Sequence, residues 1–184
     1  MLSLAIIQAE ARADLHTFHT PARLWARLGW GNTEKDGQIV AQTDCSRFRK
    51  AEVFARFATP FFTAQSPLFV KDENKKKTDE VKREAGPYRM IYDGARARYD
   101  AINAAGGYAE RAAYELKTKR WKEDEEKKSV SYLSRGMLTP IHMHQRSLRV
   151  MLKCALVDII RASKRLPTRD WALTKPGESL RIAA

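Results

Sequence analysis

Leu148-Arg149-Val150-Met151-Leu152-Lys153-Cys154-Ala155-Leu156-Val157-Asp158-Ile159-Ile160 carries the clearest periodicity in the chain. Leu148, Met151-Leu152, Ala155-Leu156 and Ile159-Ile160 recur at the spacing that lays one apolar stripe along an α-helix. Arg146, Arg149, Lys153 and Arg161 flank the stripe. Pro140 suits the first turn of this helix, where its missing N–H costs nothing. Lys164 and Arg165 suit the last turn, where cations complement free carbonyls, and Pro167 is expected to stop it. Cys154 falls within the stripe and reads as a small hydrophobe.

Working outward, helical signals continue to dominate. Upstream, Pro87 to Asn103 forms an amphipathic helix with Tyr88, Ile91-Tyr92, Ala95, Tyr99 and Ile102 on one face, broken by Gly106-Gly107. From Tyr108 into the 120s a further helix shows only a thin apolar face (Ala112, Leu116) before the charged run Lys119–Lys128. Such a helix is stable when laid against a partner or bridging solvent. Residues 3–14 read as a short helix. Thr20-Pro21 opens a second one through Leu24, Trp25 and Leu28, closed by Gly29. Residues 29–44 read as a loop, with Gln38–Ala41 at most a short extended piece. A third helix is expected from Asp44 or Ser46 through Phe57-Ala58, ended by Pro60 and Pro67. Phe61, Phe62, Leu68 and Phe69 then form an irregular aromatic connector, which either docks on a partner or packs back on its own helices. Lys71–Lys77 is a charge run expected in an exposed loop. With no convincing hairpin, the expected class is all-α: several amphipathic helices with extended connectors, not a compact regular bundle. Residues 1–78 are expected to form an N-terminal extension and 79–184 a helical region.

The chain has 184 residues with a formal net charge of +12. Residues 135–181 hold ten Lys/Arg against three Asp/Glu, whereas 57–134 hold sixteen against thirteen. The C-terminal part therefore attracts anionic partners: RNA, acidic protein surfaces or anionic lipid headgroups. No run approaches the ~20 apolar residues of a transmembrane helix. The apolar start, Met1–Ile7, lacks a preceding basic residue and is a poor secretory signal, while Glu10 and Asp14 make it a poor mitochondrial presequence. Import by an internal signal and a numbering that begins after processing both stay open. Cys45 and Cys154 match no metal or redox spacing.

Motifs for catalysis are missing from the sequence: no phosphate-cradling P-loop, no G-x-G-x-x-G, no G-x-S-x-G and no H-E-x-x-H. His16/His19 and His142/His144 lack the Cys or carboxylate company of a strong zinc signature. His142 and His144 are expected to serve instead as polar rim or partner contacts at the entry to the last helix. Glu123–Glu126 lie among Lys122, Lys127 and Lys128, as on a salt-bridged surface. Trp121, Tyr132 and Trp171 near basic residues allow phosphate contacts and stacking, without any recognised RNA-binding module.

The C-terminal part also resembles a known family. Tyr99 precedes Asn103-Ala104-Ala105-Gly106, then come the charged segment Lys122–Glu126, Arg149 at the start of the helix core, and the ending Leu166-Pro167-Thr168-Arg169-Asp170-Trp171. In this order, over residues 99–181, they resemble the small matrix-side subunit 7 (ubiquinone-binding protein) family of mitochondrial ubiquinol–cytochrome c reductase, complex III. The spacing from the glycine to Leu166-Pro167 is longer than in that family, and the first ninety or so residues have no counterpart there. The resemblance implies a non-catalytic supernumerary subunit, peripheral on the matrix side of the inner membrane. Its partners would be cytochrome b and the core subunits. It would hold no cofactor of its own, since the quinone chemistry would belong to cytochrome b. Candidate partner-contact residues are Arg149, Leu166, Pro167 and Trp171, with Phe61, Phe62 and Phe69 from the connector. The alternative class is a basic RNA-binding structural subunit of a ribonucleoprotein, such as a mitochondrial ribosome or a CRISPR-type complex.

Overall fold

The computed structural model describes residues 17–28, 31–35, 38–42, 54–74, 76–118 and 129–166. The expected helix at 3–14, the start of the third helix at 44–53, the charged segment 119–128, and Pro167, Trp171 and Cys45 lie outside them. The described chain is helix-dominated and not a regular bundle. It is not plainly all-α, because two antiparallel hairpins interrupt the helices.

Helix α1 (Pro21–Arg27) begins after Thr20 with proline in its first turn and buries Leu24, Trp25 and Ala26. Strands β1 (Gly31–Lys35) and β2 (Gln38–Gln42) pair antiparallel, from Gly31 opposite Gln42 to Lys35 opposite Gln38. The expected loop is therefore largely strand. Asp36-Gly37 separates the two strands, the dipeptide that two-residue hairpin connections favour.

A π-helical turn at Phe54–Ala58 leads directly into α2 (Thr59–Gln65). Pro60 thus opens a helix instead of ending one, because a first-turn N–H has no carbonyl of its own helix to bond and proline's lack of one costs little there. The π-turn supplies the adjustment that lets helical backbone run into it. Phe61 and Phe62 consequently sit on a helix and not in an irregular connector. That helix stops at Ser66, before Pro67, whose ring disfavours helical backbone in its neighbour. Beyond it, β3 (Leu68–Lys71) and β4 (Lys77–Arg83) form the second hairpin, with register shifts between Leu68 and Phe69 and between Phe69 and Lys71. The charge run at 71–77 bridges the ends of these strands, and Asp72 accepts the Lys76 N–H at 2.7 Å across the tip.

Three long-expected helices follow: α3 (Pro87–Ala104), α4 (Ala109–Thr118) and α5 (Pro140–Ser163), with residues 129–133 also helical. Each of three helix ends is closed by the same pair of backbone bonds around one left-handed residue. After α3, Gly106 (φ 77°) donates to Asn103 O and Gly107 to Ile102 O. After 129–133, Gly136 (φ 72°) donates to Leu133 O and Met137 to Tyr132 O. After α5, Arg165 (φ 55°) donates to Ala162 O and Leu166 to Arg161 O at 2.8 Å. The last helix therefore ends at Ser163, short of Pro167, and Lys164 and Arg165 belong to its cap. Arg165 occupies a conformation that costs an L-residue about 1–2 kcal/mol. Substituting it, Arg165→Gly, is expected to raise stability by about 0.5–1 kcal/mol after allowing for the looser unfolded chain. A urea titration of the variant beside the parent checks this.

Two compact units partition the chain: Met1–Ile91 together with Val150–Ala184, and Tyr92–Arg149. The first is built on Leu24, Leu28, Phe57, Leu152, Leu156, Val157 and Ile160. At roughly 1.5–3 kcal/mol for each large apolar side chain removed from water, this cluster is the main source of its stability. Lys164 ties the N-terminal side down by donating from Nζ to Phe18 O at 2.8 Å. Among its described residues the unit buries one carboxylate, Asp158, which accepts a hydrogen bond from the Tyr88 hydroxyl at 2.7 Å. The second unit has a smaller core of Ala112, Leu133, Leu138 and Met143, with Tyr99 and Tyr108 packed against it. Asn103 locks this unit. Its side-chain amide donates to Leu138 O at 2.9 Å and accepts from Leu138 N–H at 2.8 Å, holding both backbone polar groups of that residue. Among the described residues no helix is long and apolar enough to cross a membrane.

Candidate functional site

Arg146 and Arg149 are three apart on α5, so both side chains emerge from one face of the helix. Arg98 and Tyr99 come from α3, and Tyr108 lies in the turn before α4. The unit's core fixes the two rings, which are half-buried against it. Arg146 lies over the Tyr108 ring at 4.5 Å from its centroid and 6.0 Å from that of Tyr99. A guanidinium stacked this way presents its N–H edge outward while its face stays on the ring.

The electrostatics of the group are unbalanced. Burial pushes the Tyr99 phenol up, and Tyr108 adds to this, while Arg146, Arg98 and Arg149 all pull it down. Arg149 is exposed as a residue, yet partial desolvation of its guanidinium, followed by the Arg146 charge, holds it below the ordinary arginine value. Tyr99 opposes that shift. Among the described residues none of Arg98, Arg146 and Arg149 has a carboxylate partner. By contrast Arg96 pairs with Asp100 at 2.8 Å and Arg111 with Glu115 at 2.6 Å. Arg146 on the two phenol rings, Arg149 one turn along the same helix and Arg98 next to Tyr99 on α3 give a surface suited to an anion with several negative charges.

The other polar clusters close on themselves. Glu115 is buried between Arg111 and His142, whose Nε2 lies 4.0 Å away. His142 Nδ1 is 2.9 Å from the hydroxyl of Thr139, the residue just before α5. His144 Nδ1 lies 2.6 Å from the buried Tyr92 hydroxyl, and the two rings meet edge-on. Both half-buried histidines thus make contacts inside the Tyr92–Arg149 unit at the entry to α5. Among the described residues no group of three or more His, Cys, Asp or Glu side chains stands close enough to hold a metal ion.

The expected contact residues are scattered. Arg149 joins the cluster above. Phe61 stacks on Phe57 at 5.3 Å and tilts against Tyr88 at 5.2 Å, packing back on its own unit. Phe62 lies under the Arg89 guanidinium at 4.9 Å. Phe69 is half-buried on β3, opposite Val81. Leu166 is 47% exposed. Arg98, Tyr108 and Arg146 were not singled out from the sequence as site residues. The spacing Arg146-x-x-Arg149 is the signal that marks two of them, but pairing with Arg98 and Tyr108 depends on tertiary packing. No protein-family model, curated protein or solved structure matches this chain.

Proposed function

We propose that this protein is a non-catalytic structural subunit of a larger assembly, peripheral on the matrix side of mitochondrial complex III. The observation that carries the assembly reading is α4. Of its ten residues only Ala112 and the ion-paired Glu115 are buried, whereas Tyr114 and Leu116 stand 56% and 39% exposed. A helix with so little buried apolar area is held weakly by its own unit and gains stability when a partner covers its outer face. Choosing complex III rests on the resemblance over residues 99–181, to which the geometry lends a consistent local reason. Asn103 and Gly106, two residues of that resemblance, are the buried clamp and the left-handed cap of α3.

The test is incorporation of a variant with both exposed residues made polar, Tyr114→Ser with Leu116→Ser. Both side chains are exposed, although they leave α4 in different directions, so the melting temperature of the isolated chain should move little. The fraction recovered in the cytochrome-containing complex should fall severalfold. Full incorporation of a folded double variant overturns α4 as the docking face.

A further inference from the structure

We infer that Arg146, stacked on Tyr108, and Arg149, one turn further along α5, form with Arg98, the residue before Tyr99 on α3, a binding site for the phosphodiester backbone of single-stranded RNA. This goes beyond the assembly reading and does not depend on it. Three guanidiniums with no carboxylate partner among the described residues, two of them on exposed residues, carry more charge than one carboxylate neutralises. Successive backbone phosphates supply that charge repeatedly along a strand. Arg146 is held over Tyr108 with its guanidinium carbon 4.5 Å from the ring centroid, which orders its donors before binding and lowers the cost of fixing a long side chain.

Aromatic rings accompany basic residues elsewhere in the Tyr92–Arg149 unit as well. Arg111 lies 5.1 Å from the Tyr114 ring centroid, and Arg135 lies 5.0 Å from that of Tyr132. A base stacks on an aromatic face whatever its identity. Basic and aromatic side chains interleaved in this way favour RNA over an acidic protein surface, which has charge but no stacking partner. Recognition is therefore expected to be tolerant of sequence.

The test uses the full chain and a fluorescent oligouridylate of about 16 nucleotides, with anisotropy measured across a salt series. The parent should bind, with affinity falling steeply as salt rises. The double variant Arg98→Gln/Arg149→Gln changes exposed residues and should retain the parent's circular dichroism and melting curve. Its slope of log affinity against log salt should be shallower by about 1.4, two contacts at ~0.7 each for a single strand. Arg146→Lys keeps the charge but loses the planar fork, and should weaken binding severalfold with a slope near the parent's. Neutralising Lys71, Lys76 and Lys82, exposed residues of the other unit, should leave the slope unchanged. Equal losses in that control overturn the site in favour of diffuse charge attraction. Undetectable RNA binding at low salt overturns it outright. Two further results also overturn it: displacement of the RNA by an equal charge of polyglutamate, which moves the site to an acidic protein, and arginine-dependent binding only to phosphatidylcholine vesicles containing phosphatidylglycerol, which moves it to lipid.

Discussion

Asn103→Ala is expected to destabilise the Tyr92–Arg149 unit by about 2–5 kcal/mol, among the largest effects of any single polar substitution. The amide meets both the N–H and the C=O of Leu138, and Asn103 is only 5% exposed. Truncation leaves two buried backbone groups without partners, each costing about 1–3 kcal/mol. Leu138 itself is 1% exposed in the small core, so water cannot reach the freed peptide without disturbing Leu133 and Met143. Asn103→Asp tests the geometry separately. It keeps an acceptor for Leu138 N–H but loses the donor to Leu138 O and buries a charge, so it should be no less damaging. Hydrogen exchange resolved by segment is the measurement. Protection should fall across 92–118 and 129–149, and unchanged protection there would remove the clamp from the account.

The second large effect is at Tyr88. Its hydroxyl donates to the buried Asp158 carboxylate at 2.7 Å, and a hydrogen bond to an ionised group contributes about 1.5–3 kcal/mol. Tyr88→Phe should cost about that much in a urea titration. The pair also has a pH signature. Burial first, and then the hydrogen bond and negative charge of Asp158, raise the phenol well above the ordinary tyrosine value. A group whose folded pKa is raised contributes stability that is fully present below its unfolded value. The contribution is lost as pH climbs above about 10, because the unfolded chain then gives up a proton that the native chain retains. The parent should therefore lose stability more steeply than Tyr88→Phe above that pH. Parallel pH profiles for the two proteins would assign the bond a purely neutral role.

Where apolar spacing is strong, sequence and structure agree. The stripe from Leu148 to Ile160 becomes the buried face of α5, and Pro87 to Asn103 becomes α3 within a residue. Both helices have enough apolar positions for the period to show through their charges. The hairpins lacked that signal. Strand β4 reads Lys77-Thr78-Asp79-Glu80-Val81-Lys82-Arg83, with one large apolar residue, so no alternation marks it. In β1, Gly31-Asn32-Thr33-Glu34-Lys35 is wholly polar or glycine, and only Asp36-Gly37 hints at the turn. Pro60 misled for a different reason. Proline is tolerated in a first turn and disruptive in an interior, and spacing alone does not say which turn it occupies.

The candidate site was legible only in part. Arg149 stood out by its place at the head of the apolar core of α5. Its companions Arg98 and Tyr108 are 51 and 41 positions upstream by residue number, and only packing around Ala112 and Met143 brings their elements together. Phe61 drew notice as an aromatic near prolines, yet it stacks on Phe57 within its own unit. The order Asn103-Ala104-Ala105-Gly106 has a local structural reason, since one end clamps Leu138 and the other reverses the chain at φ 77°.

The proposed membership of a larger assembly at the inner membrane is decided by native separation of mitochondrial membranes solubilised in mild detergent. The account predicts that this 21.0 kDa chain comigrates with the cytochrome-containing complex, and that Tyr114→Ser/Leu116→Ser shifts it toward the free chain. Migration of the unaltered protein as a free chain, or with a complex lacking cytochromes, would contradict it.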